Sequence, residues 1–306
     1  MKRLATMVSL AILAAACSDE AIVGEEEQAL DSQDGGRPEP GAAGVHWARG
    51  QAKPGGGGGD PNLVWHGGVV QHGTAVQAIF WGTSWASSGS DKISGMDSFY
   101  SGVGGSSYAQ TNTEYTDGSG NVSAAVSYGG HFVDTSAVSR NPGSKVSTIL
   151  GEVCKVLGSA AASGHYYPVY TDTPRGHAGF CAWHSAGTCP NGAAVQIGFF
   201  FNLDNDPGCD PEDTTTGHTQ GVAAIGNVSG HELSEMLTDP KLNAWFDQSG
   251  QENADKCAWS FGSDSVSLGG TRWKIQGNWS NDAFNTGTGY ANRSGQLGCL
   301  DGGNFR

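Results

Sequence analysis

Seven cysteines stand in this chain of 306 residues, and an odd count leaves one to be explained apart from the rest. Cys17 lies alone near the N-terminus, while Cys154, Cys181, Cys189, Cys209, Cys257 and Cys299 are spread through the second half. Set Cys17 aside, and six cysteines form three disulfides in an oxidising compartment, with fifteen pairings open to them. Cross-links matter here because glycine is abundant, 49 of 306 residues, and charged residues are few. Such a chain reads as loop-rich and extracellular, held by covalent bridges as well as by a core.

The N-terminus agrees. Met1-Lys2-Arg3 is a short basic head, and Leu4 to Ala16 is mostly apolar and too short to span a bilayer. Residues 1–16 therefore read as a secretory signal. Leu13-Ala14-Ala15-Ala16 before Cys17 resembles the lipobox of bacterial lipoproteins, which implies a lipid on Cys17 and an exported protein anchored at the outer membrane or cell surface. An ordinary signal cleaved near Ala16, leaving a free thiol, is the alternative. No later segment is apolar for long enough to cross a membrane. A formal charge of −14 argues against nucleic-acid binding, which needs clustered Lys and Arg. Residues 17–60, with Glu25-Glu26-Glu27 and the run Gly55 to Gly59, offer little to bury and read as a tether. Residues 61–306 then form one domain, expected to be monomeric.

Within that domain Thr74 to Trp81, Val122 to Tyr128, Tyr166 to Tyr170 and Ala194 to Phe201 have the composition of strands, the last a central one. Lys145 to Ala162 carries Val146, Ile149, Leu150, Val153 and Leu157 at helical spacing. A second helix runs from near Gln220 to Leu237, stopped by Thr238-Asp239-Pro240. The C-terminal third, rich in Gly, Ser and Asn, reads as loop and short strand. The fold class is α+β with a mixed sheet.

The sharpest chemical signal is Gly230-His231-Glu232-Leu233-Ser234-Glu235. On a helix, His231 and Glu235 project one turn apart from the same face, so both can reach one metal ion. Glu232, beside His231, is placed as a general base. The pattern is similar to the His-Glu-x-x-His helix of zinc hydrolases, with Glu235 where the second histidine stands. In one branch of those zincins a glutamate some twenty residues on is the third ligand, and a following aspartate holds the first histidine. That resemblance implies Glu252 as ligand and Asp255 as the partner of His231, with an exchange of roles left open. Two carboxylates and one imidazole would neutralise a divalent ion, so Mn2+ or Ca2+ stand beside Zn2+ as candidates. A short pattern of this kind is also common on solvated helix faces. Ile225, Val228, Leu233 and Leu237 argue instead for a buried helix, in which unpaired acids are costly.

From this helix onward, Gly230 to Glu235, Thr238-Asp239-Pro240, Leu242 to Phe246 and Glu252 to Cys257 resemble the EXORDIUM, or phosphate-induced, protein family. His66 to Val70 and Phe180-Cys181-Ala182-Trp183-His184 are weaker echoes. The resemblance implies a zincin-like domain in a secreted or wall-associated protein, with one metal ion per chain. His184, in the matched cysteine-containing segment, is a candidate transition-state donor, with a surface or structural histidine as the alternative. Cys257–Cys299, which would tie the site segment to the C-terminus, is the first disulfide expected. His131 with Asp134, and the acidic loop of Asp204, Asp206 and Asp210, read as ordinary polar clusters, though a calcium loop was the functional alternative for the latter. These readings converge on an exported zinc-dependent, peptidase-like hydrolase acting on a polypeptide or cell-wall substrate. The rival is a non-catalytic surface or carbohydrate-binding protein using exposed Trp245, Trp273 and Trp279.

Overall fold

In the computed structural model, residues 43–51 and 60–306 are described, all within the second of two units, Ser32–Arg306. The signal segment 1–16, Cys17 and most of the expected tether lie outside the described residues. The exception is instructive. Ala43–Trp47, expected to be tether, forms strand β1.

Five further strands complete a six-stranded sheet: β2 (Thr74–Trp81), β3 (Val126–Asp134), β4 (Tyr166–Pro174), β5 (Phe180–Thr188) and β6 (Ala194–Asn202). Their order is β1-β5-β6-β4-β2-β3. The run β6-β4-β2-β3 is parallel, whereas β5 pairs antiparallel with both β6 and β1. The sheet is therefore mixed and the protein α+β. Successive parallel strands need long crossovers, and the helices α1 (Ser90–Val103) and α2 (Val146–Leu157) lie in those from β2 to β3 and from β3, past β2, to β4. β6 is buried almost end to end, and β4 over Tyr166 to Thr171, where their apolar and aromatic residues lie in the middle of the sheet. At the edge, β3 has only Val126 buried; its later residues alternate between exposed and half-buried. The strand expected at Val122 to Tyr128 starts four residues later, because Val122 pairs back to Tyr115 in a turn.

Helix α3 (Gln220–Thr238) is the organising element. Thr219 caps it by accepting from the Val222 amide, and every residue from Gly221 to Thr238 is buried. A helix buried all round needs partners on every side. The sheet covers one side; Tyr170 on β4 bonds the Ser229 hydroxyl at 2.6 Å. The C-terminal segment covers another, with Trp273 so close that a Cβ at Gly226 would lie 2.6 Å from its ring. Helix α4 (Asn253–Lys256) follows. The C-terminal part is otherwise loop, a hairpin (Val266–Leu268 with Thr271–Trp273), a short helix (Asn281–Thr286) and a small three-stranded sheet.

Three disulfides staple this arrangement. Cys154–Cys189 ties α2 to the turn after β5, Cys181–Cys209 ties β5 to the loop beyond β6, and Cys257–Cys299 ties the end of α4 to the C-terminal sheet. The last is the pair expected. Among the described residues no helix is long and apolar enough to cross a membrane.

Candidate metal centre

Six residues singled out in the sequence meet in one buried region. His231, Glu232 and Glu235 come from α3, His184 from β5, and Glu252 and Asp255 from the start of α4. His184, His231, Glu232 and Glu235 are 0 % exposed. One helical turn brings Nε2 of His231 to 3.1 Å from Oε1 of Glu235. The same Glu235 oxygen accepts the Asp255 backbone amide at 2.9 Å, which holds α4 against α3. Asp255 Oδ1 stands 3.8 Å from Nε2 of His231, and the other Asp255 oxygen accepts the Glu252 amide. Glu252 turns the other way, to Nε2 of His184 at 3.2 Å, and Glu235 reaches that nitrogen at 3.6 Å.

Two overlapping donor groups result, His231–Glu235–Asp255 and His184–Glu232–Glu235. Within each, candidate ligand atoms lie within 4.8 Å of one another, so either group could hold a metal ion. Asp255, rather than Glu252, shares a group with His231, and it faces the Nε2 side of the ring. The expected role of Asp255 on the other ring nitrogen is taken by Gln276, which was not foreseen. Its Nε2 lies 3.0 Å from His231 Nδ1 and 2.9 Å from the Ala254 carbonyl, while its Oε1 accepts the Trp259 amide. Backbone roles are fixed, so these contacts settle the amide orientation, and Nδ1 of His231 must accept. A neutral His231 then carries its proton on Nε2, toward Glu235. Ligation through Nε2 would require the Gln276 amide to turn.

Glu232 is the electrostatic anomaly. Neither carboxylate oxygen makes a hydrogen bond of ordinary geometry, although the backbone amide of His46 is near enough to favour the charged form. Burial, then the charges of Glu235, Asp255 and Glu252, push its pKa well above the usual carboxylate range. Burial also raises Glu252 to about 7, with Glu235 adding and His184 opposing. For His184, burial favours the neutral ring but Glu252, Glu235 and Asp239 outweigh it, giving about 8. Burying a surplus of carboxylates is expensive unless a cation joins them, and the nitrogen-plus-oxygen donor set suits a divalent metal. The residues fit a metal ion; its identity does not follow from the donors.

His46 is the other residue that sequence reading missed, because it fell within the expected tether. It lies on β1, 0 % exposed, with its ring 4.2 Å from that of His231 and 4.6 Å from Trp259. Val45 and Trp47 on either side were the available strand signal. Other candidates dissolve into structure. His131 pairs with Asp97, and Asp134 with Lys155. In the acidic loop Lys92 binds Asp204 and Arg175 binds Asp206. Trp273 and Trp279 are buried and Trp245 half-buried, so these three do not form an exposed aromatic face.

Fold and site together define an α+β, disulfide-linked protein with a buried histidine–carboxylate cluster able to hold a metal ion. Compared with protein-family models, curated proteins and solved structures, the chain matches none.

Proposed function

We propose that this chain is an exported zinc-dependent hydrolase of zincin type, peptidase-like, with Glu232 as general base. The observation that carries the reading is Glu232 itself: fully buried, without a hydrogen bond of ordinary geometry at either oxygen, and adjacent to His231 on α3. A purely structural carboxylate so placed would be a standing cost, while a base must be kept unsolvated and unpaired. His231, Glu235 and Asp255 would hold the ion, with Glu252 orienting His184. When bound, a zinc ion supplies Lewis acidity toward a substrate carbonyl and positive charge that returns Glu232 to its ionised form. Glu232 would then take a proton from the attacking water, and His184, held by Glu252 at 3.2 Å, would donate toward the developing oxyanion. The three disulfides suit an oxidising compartment. Anchoring through a lipid on Cys17, and membership of the EXORDIUM-like proteins, belong to the same proposal.

A second reading draws on the complete burial of the cluster: a non-catalytic surface protein that binds metal for stability. The first measurement is metal content of the folded chain, purified without a histidine tag, for wild type and His231→Ala. One zinc per chain, lost in the variant, is the expected result. A folded wild type without stoichiometric metal refutes the hydrolase.

A further inference from the structure

Substrate cannot reach a centre whose donors are fully buried unless something moves aside. Strand β1 is the element placed to do so. It lies at the sheet edge, antiparallel to β5, through three register pairs (Ala43 with His184, His46 with Ala182, Trp47 with Phe180) broken by two irregularities. Gly44 is wedged into the centre: a Cβ there would fall 2.0 Å from both Oε2 of Glu235 and the ring of His184. Its φ of +55° is another reason for glycine. Beside it His46 covers His231, and neither of its ring nitrogens has a hydrogen-bond partner despite full burial. That is an energetic burden specific to the docked strand. Beyond the sheet, β1 is held at one end by Ala48 N–H to the Gly179 carbonyl, Arg49 N–H to that of Gly208, and Trp259 Nε1–H to that of Trp47. Adding an extended segment to a sheet edge is a general way of binding polypeptide, with backbone hydrogen bonds for affinity and side-chain pockets for selectivity.

We infer that the β5 edge beside α3 is a groove for an extended polypeptide, and that β1 is its built-in occupant, covering the centre until displaced. The inhibitory consequence rests on the hydrolase reading; the groove does not.

Two full-length variants test it: Gly44→Ala, which drives a methyl group into Glu235 and His184, and Val45→Asp, which places a charge at a buried position of β1. The probe is a fluorescein-labelled synthetic peptide of residues 41–51. It should bind both variants one-to-one and at least tenfold more tightly than wild type, and unfolded β-casein should displace it. Hydrogen exchange should speed up at Phe180–His184 while α3 stays protected. Equal peptide binding to wild type and variants overturns the inference, as does loss of α3 protection along with β1 in both variants, which would make β1 an integral strand. With zinc added, casein cleavage should rise in the variants. Peptide binding without cleavage would uphold the groove and refute the hydrolase.

Discussion

Replacing Glu232 by glutamine separates a catalytic carboxylate from a structural one. In the metal-free chain burial, then the charges of Glu235, Asp255 and Glu252, favour the neutral form of Glu232, and glutamine is a neutral side chain of nearly equal volume. Neither oxygen makes a hydrogen bond of ordinary geometry, and an amide oxygen can still face the His46 backbone amide. Stability should therefore change by no more than about 1 kcal/mol, against roughly 1–3 kcal/mol where a real partner is stranded. Removing a general base should lower the rate by about 10²–10⁴, or roughly 3–5 kcal/mol in the barrier. Metal content should be retained if His231, Glu235 and Asp255 are the ligands. Urea unfolding, metal analysis and casein hydrolysis of Glu232→Gln beside wild type read the three quantities. A loss of more than about 3 kcal/mol in the metal-free chain, or undiminished hydrolysis, would refute the reasoning. Loss of metal with stability intact would move Glu232 into the ligand set.

Three further predictions follow from particular contacts. Removing Cys257–Cys299, which spans 42 residues, as the double serine variant should cost about 4 kcal/mol by the loop-entropy relation, read as a lowered urea midpoint. Burial first, then the charge of Glu252, raises Asp239 to about 7 from 3.8, and burial raises Glu252 to about 7 from 4.5. The folded chain thus binds protons that the unfolded chain has released, so these groups stabilise below pH 4 and that stability is lost as pH rises through about 7. Buried His46 acts oppositely, its pKa lowered by burial and by His231, and withdraws stability as pH falls below 6.5. Glu232 and His184, whose pKa values are also raised, act in the same direction as the two carboxyl groups, so against His46 alone the thermal midpoint of metal-free protein should fall between pH 5 and pH 7.5, and zinc should reduce the fall; a rise would show the carboxyls ionised. Gln276→Glu would offer His231 Nδ1 an acceptor in place of a donor. Zinc affinity measured by competition with a chelator should increase about 10–100-fold, and an unchanged affinity would remove Gln276 from control of His231.

Much of this was written locally. The α3 helix and its stop depend on neighbouring residues, Thr219 as cap and Pro240 as breaker, so its bounds differed from the reading by a single residue. The one-turn pairing of His231 with Glu235 follows from helical geometry alone. β2 was read to the residue, and β4 and β6 at their starts, since apolar runs of that length suit a buried strand. What was illegible depended on residues far apart in the chain. β1 is a strand only because β5 offers an edge more than 130 positions away, and five residues among glycines and prolines carry too little signal to announce that. Gln276 reaches His231 across 45 positions, and no spacing marks a lone glutamine as the group that sets a tautomer. Asp255 and Glu252 could not be told apart in sequence because the turn into α4 sends one toward His231 and the other toward His184. Sequence determines the chemistry that short-range geometry can deliver, namely a histidine and two carboxylates on one helix. Which side chains close around them is decided by burial, because only the packed fold sets which distant polar groups must satisfy one another out of water.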